Sequence, residues 1–295
     1  MYSIKHQNEN NVLELKNSDA SFFAKIHLND GASLQELTLN GKSIIVDLNP
    51  LVYADTYASA ILFPFANRIK DGAYNFNKTH YQLDANNVSE NNALHGLVYN
   101  KVFNVIEHKG GNESISVKLE YEENELTQGF PFTYSIQLEY VFTKDAMSLS
   151  VSVTNTSTAS FPFTLGWHPY FLSENLYASD LQFSSHQKLK LGERNITTGV
   201  EKIDAVKSFN IEDKKLDDCW ILNDDAITFN TPTYQFVIES SEEHNFLQVY
   251  TPPKENIIAI EPTTGVSDSF NNQIGLKVLK PNASYRIDWR LKMIK

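Results

Sequence analysis

Apolar and polar residues alternate through ISVKLEY (115–121), YSIQLEYVF (134–142) and MSLSVSVTN (147–155), a period of two that sets one side of each segment on a core and the other in water. Strands are expected there. Turn residues fall between such runs at Asn40-Gly41, Asn77-Lys78, Gly110-Gly111-Asn112, Lys144-Asp145 and Pro281-Asn282, which reads as the punctuation of antiparallel hairpins and meanders. No stretch sustains the three-and-four apolar spacing of a long helix with caps; the helical candidates are short, at 53–61 and 267–272. The strand pattern runs from about residue 21 to residue 293, with no low-complexity linker or like-charge block. An all-β chain with one domain over residues 1–295 is predicted.

Phe-Pro-Phe occurs three times, at 63–65, 130–132 and 161–163, with unequal intervals and unrelated flanks. It is not a repeat. Because proline is confined to the edges and ends of strands, these tripeptides are expected where strands start or stop at an aromatic rim.

Composition narrows the function classes. With 41% hydrophobic and 21% charged residues, the chain has the balance of a soluble globular protein. No apolar run approaches the roughly 18 residues of a membrane span, and the N-terminus MYSIKHQNENNVLEL has no basic and apolar leader pattern, so a cytoplasmic location is expected. A lone Cys219 forms no internal disulfide, which fits a reducing compartment. The formal net charge of −11 argues against nucleic acid or an anionic membrane as partner, since both need a basic footprint. A neutral or cationic small molecule suits the charge better.

Candidate chemistry begins with NIIAIEP (256–262), whose unbroken apolar run reads as a strand covered on both faces, ending in Glu261 before Pro262. The proline restricts Glu261 to extended backbone, and desolvation would raise its pKa toward that of a useful proton acceptor. A strand-end glutamate turned to solvent is the plainer reading. His168 in TLGWHPYF (164–171) shares the same setting, an apolar run followed by proline; a satisfied core histidine is the alternative there. Histidine and glutamate in one unusual context suggest an acid/base pair. Trp167, Tyr170 and Phe171 beside it are read as packing residues.

Polar residues interrupt apolar surroundings at three further points. Asn67-Arg68 in FPFANRIKDG (63–72) offers a guanidinium fork to an oxygen-rich ligand, or else a rim salt bridge. His95-Gly96 in NNALHGLVYN (91–100) pairs a ligand-facing histidine type with a glycine that permits close backbone approach, a pairing also common in turns. KKLDDCWIL (214–222) brings two acids into an apolar run, either to accept hydroxyl hydrogen bonds or to sit at the surface. The eight histidines show no HExxH or H-x-H spacing, no glycine-rich phosphate loop follows a strand, and no serine sits in a G-x-S-x-G elbow.

Taken in order, Asn-Arg, His-Gly, Gly-Trp-His-Pro-Tyr-Phe, Asp-x-x-aromatic and Glu-Pro resemble the aldose 1-epimerase (galactose mutarotase) family across residues 67 to 262. Gly-Trp-His-Pro-Tyr-Phe is the most specific element, followed by Asn-Arg with Gly72, Tyr74 and Phe76. The resemblance implies a large antiparallel β-supersandwich that holds a sugar such as an aldohexose, acts as a monomer or homodimer, and needs no metal or other cofactor. It implies that His168 protonates the ring oxygen while Glu261 takes the proton from the anomeric hydroxyl. Arg68, His95 and Asp217, with Asn67, would bind the sugar, Asp217 rather than Asp218 matching the pattern.

The stretch after Glu261, Pro-Thr-Thr-Gly-Val-Ser-Asp-Ser-Phe-Asn-Asn, departs from the galactose-type pattern, as does the glycine-poor surrounding of His95-Gly96. Sugar identity therefore stays open. A hexose-6-phosphate mutarotase is one alternative, for which a dianion would call for more cations than Arg68. A noncatalytic carbohydrate-binding sandwich is another. A glycoside hydrolase ranks third, because it needs two opposed carboxylates.

Overall fold

The computed structural model describes residues 1–243 and 245–294; His244 and Lys295 lie outside them. Three antiparallel sheets carry the architecture, with five, nine and eight strands. Residues at the N-terminus form a simple meander, Tyr2–Gln7, Val12–Asn17, Phe23–His27, Ser33–Leu39 and Lys42–Ile45. The nine-stranded sheet begins as a second meander through Asn104–Gly110, Ile115–Glu123, Tyr134–Phe142 and Ala146–Asn155. Its burial alternates residue by residue along Tyr134–Phe142, as the period of two requires.

The predicted hairpin turns mostly connect paired neighbours. Asn40 and Gly41 both take positive φ, 49° and 71°, between the strands they join, the backbone of a two-residue turn that matches strand twist. Pro281-Asn282 does not make a hairpin. Lys277–Leu279 before it pairs with Phe161–Phe163, whereas Ser284–Met293 after it pairs with Ala146–Asn155 and Gln235–Ser240. The turn passes the chain from one sheet to another, a long-range choice that local turn chemistry does not encode. Both short helices are present but shorter than predicted, at Tyr53–Thr56 and Ser269–Asn272, because each stops at a residue in left-handed backbone, Tyr57 and Gln273.

The Phe-Pro-Phe tripeptides do not form a rim. Phe63, Phe130, Phe132, Phe161 and Phe163 are all buried, and ring centroids of Phe63, Phe130 and Phe132 lie 6.2, 5.4 and 5.6 Å from Phe161. Segments far apart in sequence meet in one aromatic cluster, where tilted and edge-on contacts replace the exposure expected of strand ends. The main core continues from there to residues as distant as Tyr2 and Met293. No helix among the described residues is long and apolar enough to cross a membrane.

Candidate active site

Asp217–Ile221, Phe246–Tyr250 and Ile257–Thr263 run side by side in the eight-stranded sheet, with Asp217 opposite Tyr250 and Gln248 opposite Glu261. Side chains alternate along a strand, so Asp217, Gln248, Tyr250 and Glu261 rise from one face. They line a cavity of about 160 Å³ together with Asn67, Arg68, His95, His168, Tyr57 and Tyr170. All six candidate site residues named from the sequence thus meet in one pocket.

His168 is placed by backbone on both sides. Its N–H donates to the Ala60 carbonyl at 3.0 Å, and its own carbonyl accepts from Ser59 N–H at 2.8 Å. The ring stacks on Tyr170 with 4.9 Å between centroids and meets His95 edge-on at 5.0 Å. Nε2 lies 3.5 Å from Glu261 Oε1, while Nδ1 has no partner among the described residues. His168 and Glu261 are only 4% and 3% exposed. Burial pushes the imidazole pKa down to about 3 and lifts the Glu261 carboxyl well above the carboxylate range, with the Asp217 charge adding to the rise and Arg68 opposing it. Each group resists the charge that the other would compensate. Such a pair titrates as a unit, and with one proton between them the uncharged form, carboxylic acid beside neutral imidazole, is the resting state that burial favours.

Arg68 and His95 come from a short ribbon in which Arg68–Lys70 pairs with Asn92–Leu94. At its end Asn67 and His95 both adopt left-handed backbone, φ 60° and 62°, and His95 N–H donates to the Asn67 carbonyl at 2.8 Å. Gly96 allows the turn to press on the aromatic cluster: a Cβ there would sit 2.2 Å from the Phe63 carbonyl oxygen. Close approach is the reason for glycine here. Burial, then the neighbouring His168 and Arg68, hold the His95 pKa well below the usual histidine value. The guanidinium of Arg68 both lines the pocket and forms a salt bridge, donating from Nε to Glu90 Oε2 at 2.7 Å and from Nη1 to Asn67 Oδ1 at 2.9 Å.

Asp217 accepts from Gln248 Nε2 at 2.7 Å and from Asn195 Nδ2 at 3.1 Å. Burial raises its pKa, against the pull of Arg68. Asp218, one residue on, instead pairs with Lys188 at 2.6 Å. The pleat separates the two acids.

Two local readings need correction. Glu261 does not end its strand, which continues through Pro262 to Thr263 with every residue buried; strands pair with this segment along both edges, so the restricted backbone sits inside the sheet. Tyr170 is more than a packing residue, since it lines the pocket and stacks on His168. Sequence reasoning also missed Gln248, Tyr250, Glu90 and Asn195. Gln248 carried the same signal as Glu261, a polar residue within the apolar run FLQVY; Glu90 and Asn195 lie in polar stretches that offer none. The atypical segment after Glu261 clamps the elements that carry Arg68 and Asn195. Asp268 N–H donates to the Arg68 carbonyl at 2.6 Å, Asp268 Oδ1 accepts from Lys70 N–H at 2.9 Å, and Ser267 Oγ donates to the Asn195 carbonyl at 2.9 Å.

The family model described as aldose 1-epimerase matches residues 11–292. The chain belongs to the aldose 1-epimerase family. Among the proteins and structures it resembles, the uncharacterized protein YihR of Escherichia coli K12 is 25% identical over 270 residues, covering 87% of this chain and 86% of YihR. A galactose mutarotase-like protein from Clostridium acetobutylicum superposes with a TM-score of 0.85 at 20% identity, covering 99% of this chain and 98% of the other. Galactose 1-epimerase from Lactobacillus acidophilus gives 0.79 at 19% identity, covering 99% and 98%. At these identities the superpositions establish the shared galactose mutarotase-like fold, and this epimerase-family chain carries it over nearly its whole length.

Proposed function

We propose that this chain, acting as one unit, is a mutarotase that interconverts the α and β anomers of a free aldose. The observation that carries the reading is the buried His168–Glu261 pair, 3.5 Å apart at the wall of a polar pocket. Opening a hemiacetal requires a proton to leave the anomeric hydroxyl and another to reach the ring oxygen; closing on the other face reverses both transfers. A pair that shares one proton has a donor and an acceptor at the same time. Glu261 takes the proton from the anomeric hydroxyl and His168 delivers one to the ring oxygen. This direction calls for the shared proton on the imidazole, a charged form that lies above the resting one because burial and Asp217 raise the Glu261 pKa, with Arg68 opposing them. His95, Asn67, Arg68 and Asp217 hold the sugar, and positioning reduces the entropy lost on reaching the transition state.

The decisive experiment follows freshly dissolved α-D-glucose and α-D-galactose by polarimetry or NMR. Equilibration faster than buffer on an aldose is expected; rates at the buffer level on every aldose tried would remove the enzymatic reading and favour a noncatalytic sugar-binding sandwich.

The pH profile adds a second test. The productive pair holds one proton, so activity falls in acid only when a second proton adds to His168, whose pKa is pushed down to about 3. The acid limb of kcat/KM should therefore lie well below 6.5, the usual histidine value. The alkaline limb marks loss of the last proton from the pair, above the ordinary carboxylate range because burial raises Glu261. An acid limb centred near 6.5 would contradict this protonation scheme.

Gln248→Ala strips Asp217 of its 2.7 Å donor. Losing one such hydrogen bond is worth about 1.4 kcal/mol, so a rise of about tenfold in KM is expected. An unchanged KM would show that Asp217 needs no support from Gln248.

A further inference from the structure

We propose that Glu90 selects the charge of the sugar: by pairing with Arg68 it cancels the guanidinium at the pocket and so turns away uronates and sugar phosphates. This rests on the reading that the pocket binds an aldose. Glu90 does not line the cavity. It acts from behind Arg68, accepting from Nε at 2.7 Å in a pair whose side chains are 14% and 26% exposed.

The carboxylate is itself held in place. Asn87 Nδ2 donates to Glu90 Oε2 at 2.8 Å, and Arg194 Nη1 donates to the Glu90 carbonyl at 3.0 Å and to Asp71 Oδ1 at 2.8 Å. Glu90 is therefore a fixed partner, and it occupies the Nε edge of the fork while Asn67 takes Nη1. Nη2 makes no hydrogen bond among the described residues, which leaves donor capacity for a sugar oxygen, while the Nε edge is closed by Glu90 to a carboxylate or phosphate.

Charge points the same way. Three acids among the described residues line the pocket, Asp55, Asp217 and Glu261, against the fixed charge of Arg68 and the one proton that His168 and Glu261 share, while burial holds the His95 pKa well below the usual value. No lysine lines it. Even with Glu261 protonated, Asp55, Asp217 and Glu90 face one guanidinium. An anionic sugar entering this site meets like charge without a compensating cation, the repulsive element that specificity often uses.

The test compares D-glucose with D-glucuronate and D-glucose 6-phosphate on the full-length chain, reading binding by NMR and anomer exchange in the same samples. The wild type should favour glucose by about a hundredfold in kcat/KM or affinity, the scale of like-charge juxtaposition at a partly desolvated site. That preference should narrow as salt is raised, a readout that needs no variant. Glu90→Gln keeps an acceptor for Nε and removes the charge, so the ratio of neutral to anionic sugar should fall by about tenfold whatever the absolute rate. Equal handling of glucose and the anionic sugars by the wild type, or an unmoved ratio in Glu90→Gln, would overturn the inference while leaving mutarotation intact. Selective glucose binding that narrows in Glu90→Gln, but without exchange above buffer, would instead overturn mutarotation and leave charge selection standing. A protein that binds none of these sugars overturns the inference, and mutarotation falls with it when no other aldose exchanges above buffer.

Discussion

Glu261→Gln slows anomer exchange by about 10²–10⁴-fold in kcat, and His168→Asn does the same, because each removes one of two positioned proton-transfer groups. The substitutions differ in what they leave. Glutamine has the shape of a protonated glutamate, and Glu261 rests protonated because burial raises its pKa; the variant should fold as stably as the wild type. His168→Asn also removes the ring stacked on Tyr170 at 4.9 Å, so it loses some packing along with the proton relay. The double variant should be scarcely slower than either single one, as groups that act as a unit give non-additive losses. NMR exchange rates with thermal unfolding on the same samples check this. Full activity in either single variant would remove that residue from the mechanism, and additive losses would mean that the two groups act separately.

Phe161→Ala is expected to cost about 3–5 kcal/mol of stability, the range for emptying a buried phenylalanine site. Phe161 is fully buried and meets Phe63, Phe130, Phe132 and Tyr134 with centroids within 6.4 Å. Those rings come from two stretches remote from Phe161 in sequence, Phe63 and residues 130–134, and each is itself buried, so none can move into the space without vacating its own site. Tyr134 anchors one strand of the nine-stranded sheet, while Phe63 backs the His95-Gly96 turn, whose Leu97 N–H donates to the Phe63 carbonyl at 2.7 Å. The cluster thus joins the scaffold to the pocket. Equilibrium urea unfolding measures the loss; a change below about 1 kcal/mol would mean that the cluster repacks, the behaviour of a loosely filled core. A smaller change is expected for Leu279→Ala at the partner strand, since its site lies nearer the surface.

The alternating segments predicted the central strands because their apolar and polar faces answer to solvent locally. Ile115–Glu123, Tyr134–Phe142 and Ala146–Asn155 extend the predicted runs by at most two residues at an end. Asn40-Gly41 likewise announced its hairpin, since left-handed backbone at two successive positions is a demand on those two residues alone. Pro281-Asn282 looked the same in sequence and behaves otherwise. Its flanking strands find partners more than a hundred residues away, and pairing at that distance is decided by which strand edges remain free once the meanders have formed.

The pocket divides along the same line. Residue type and context singled out His168, Glu261, Arg68, His95, Asp217 and Asn67, because a polar group in an apolar run is costly unless something requires it. Glu90 and Asn195 carried no such mark, being polar residues among polar neighbours; their importance lies in reaching Arg68 and Asp217 across 22 positions each. The sequence by itself determined the strand faces and the chemical types available for proton transfer. Only the tertiary structure decided the 3.5 Å approach of His168 to Glu261, their common desolvation and the pairing of Arg68 with Glu90, because distance and dielectric surroundings belong to groups brought together by folding and are not properties of any segment alone.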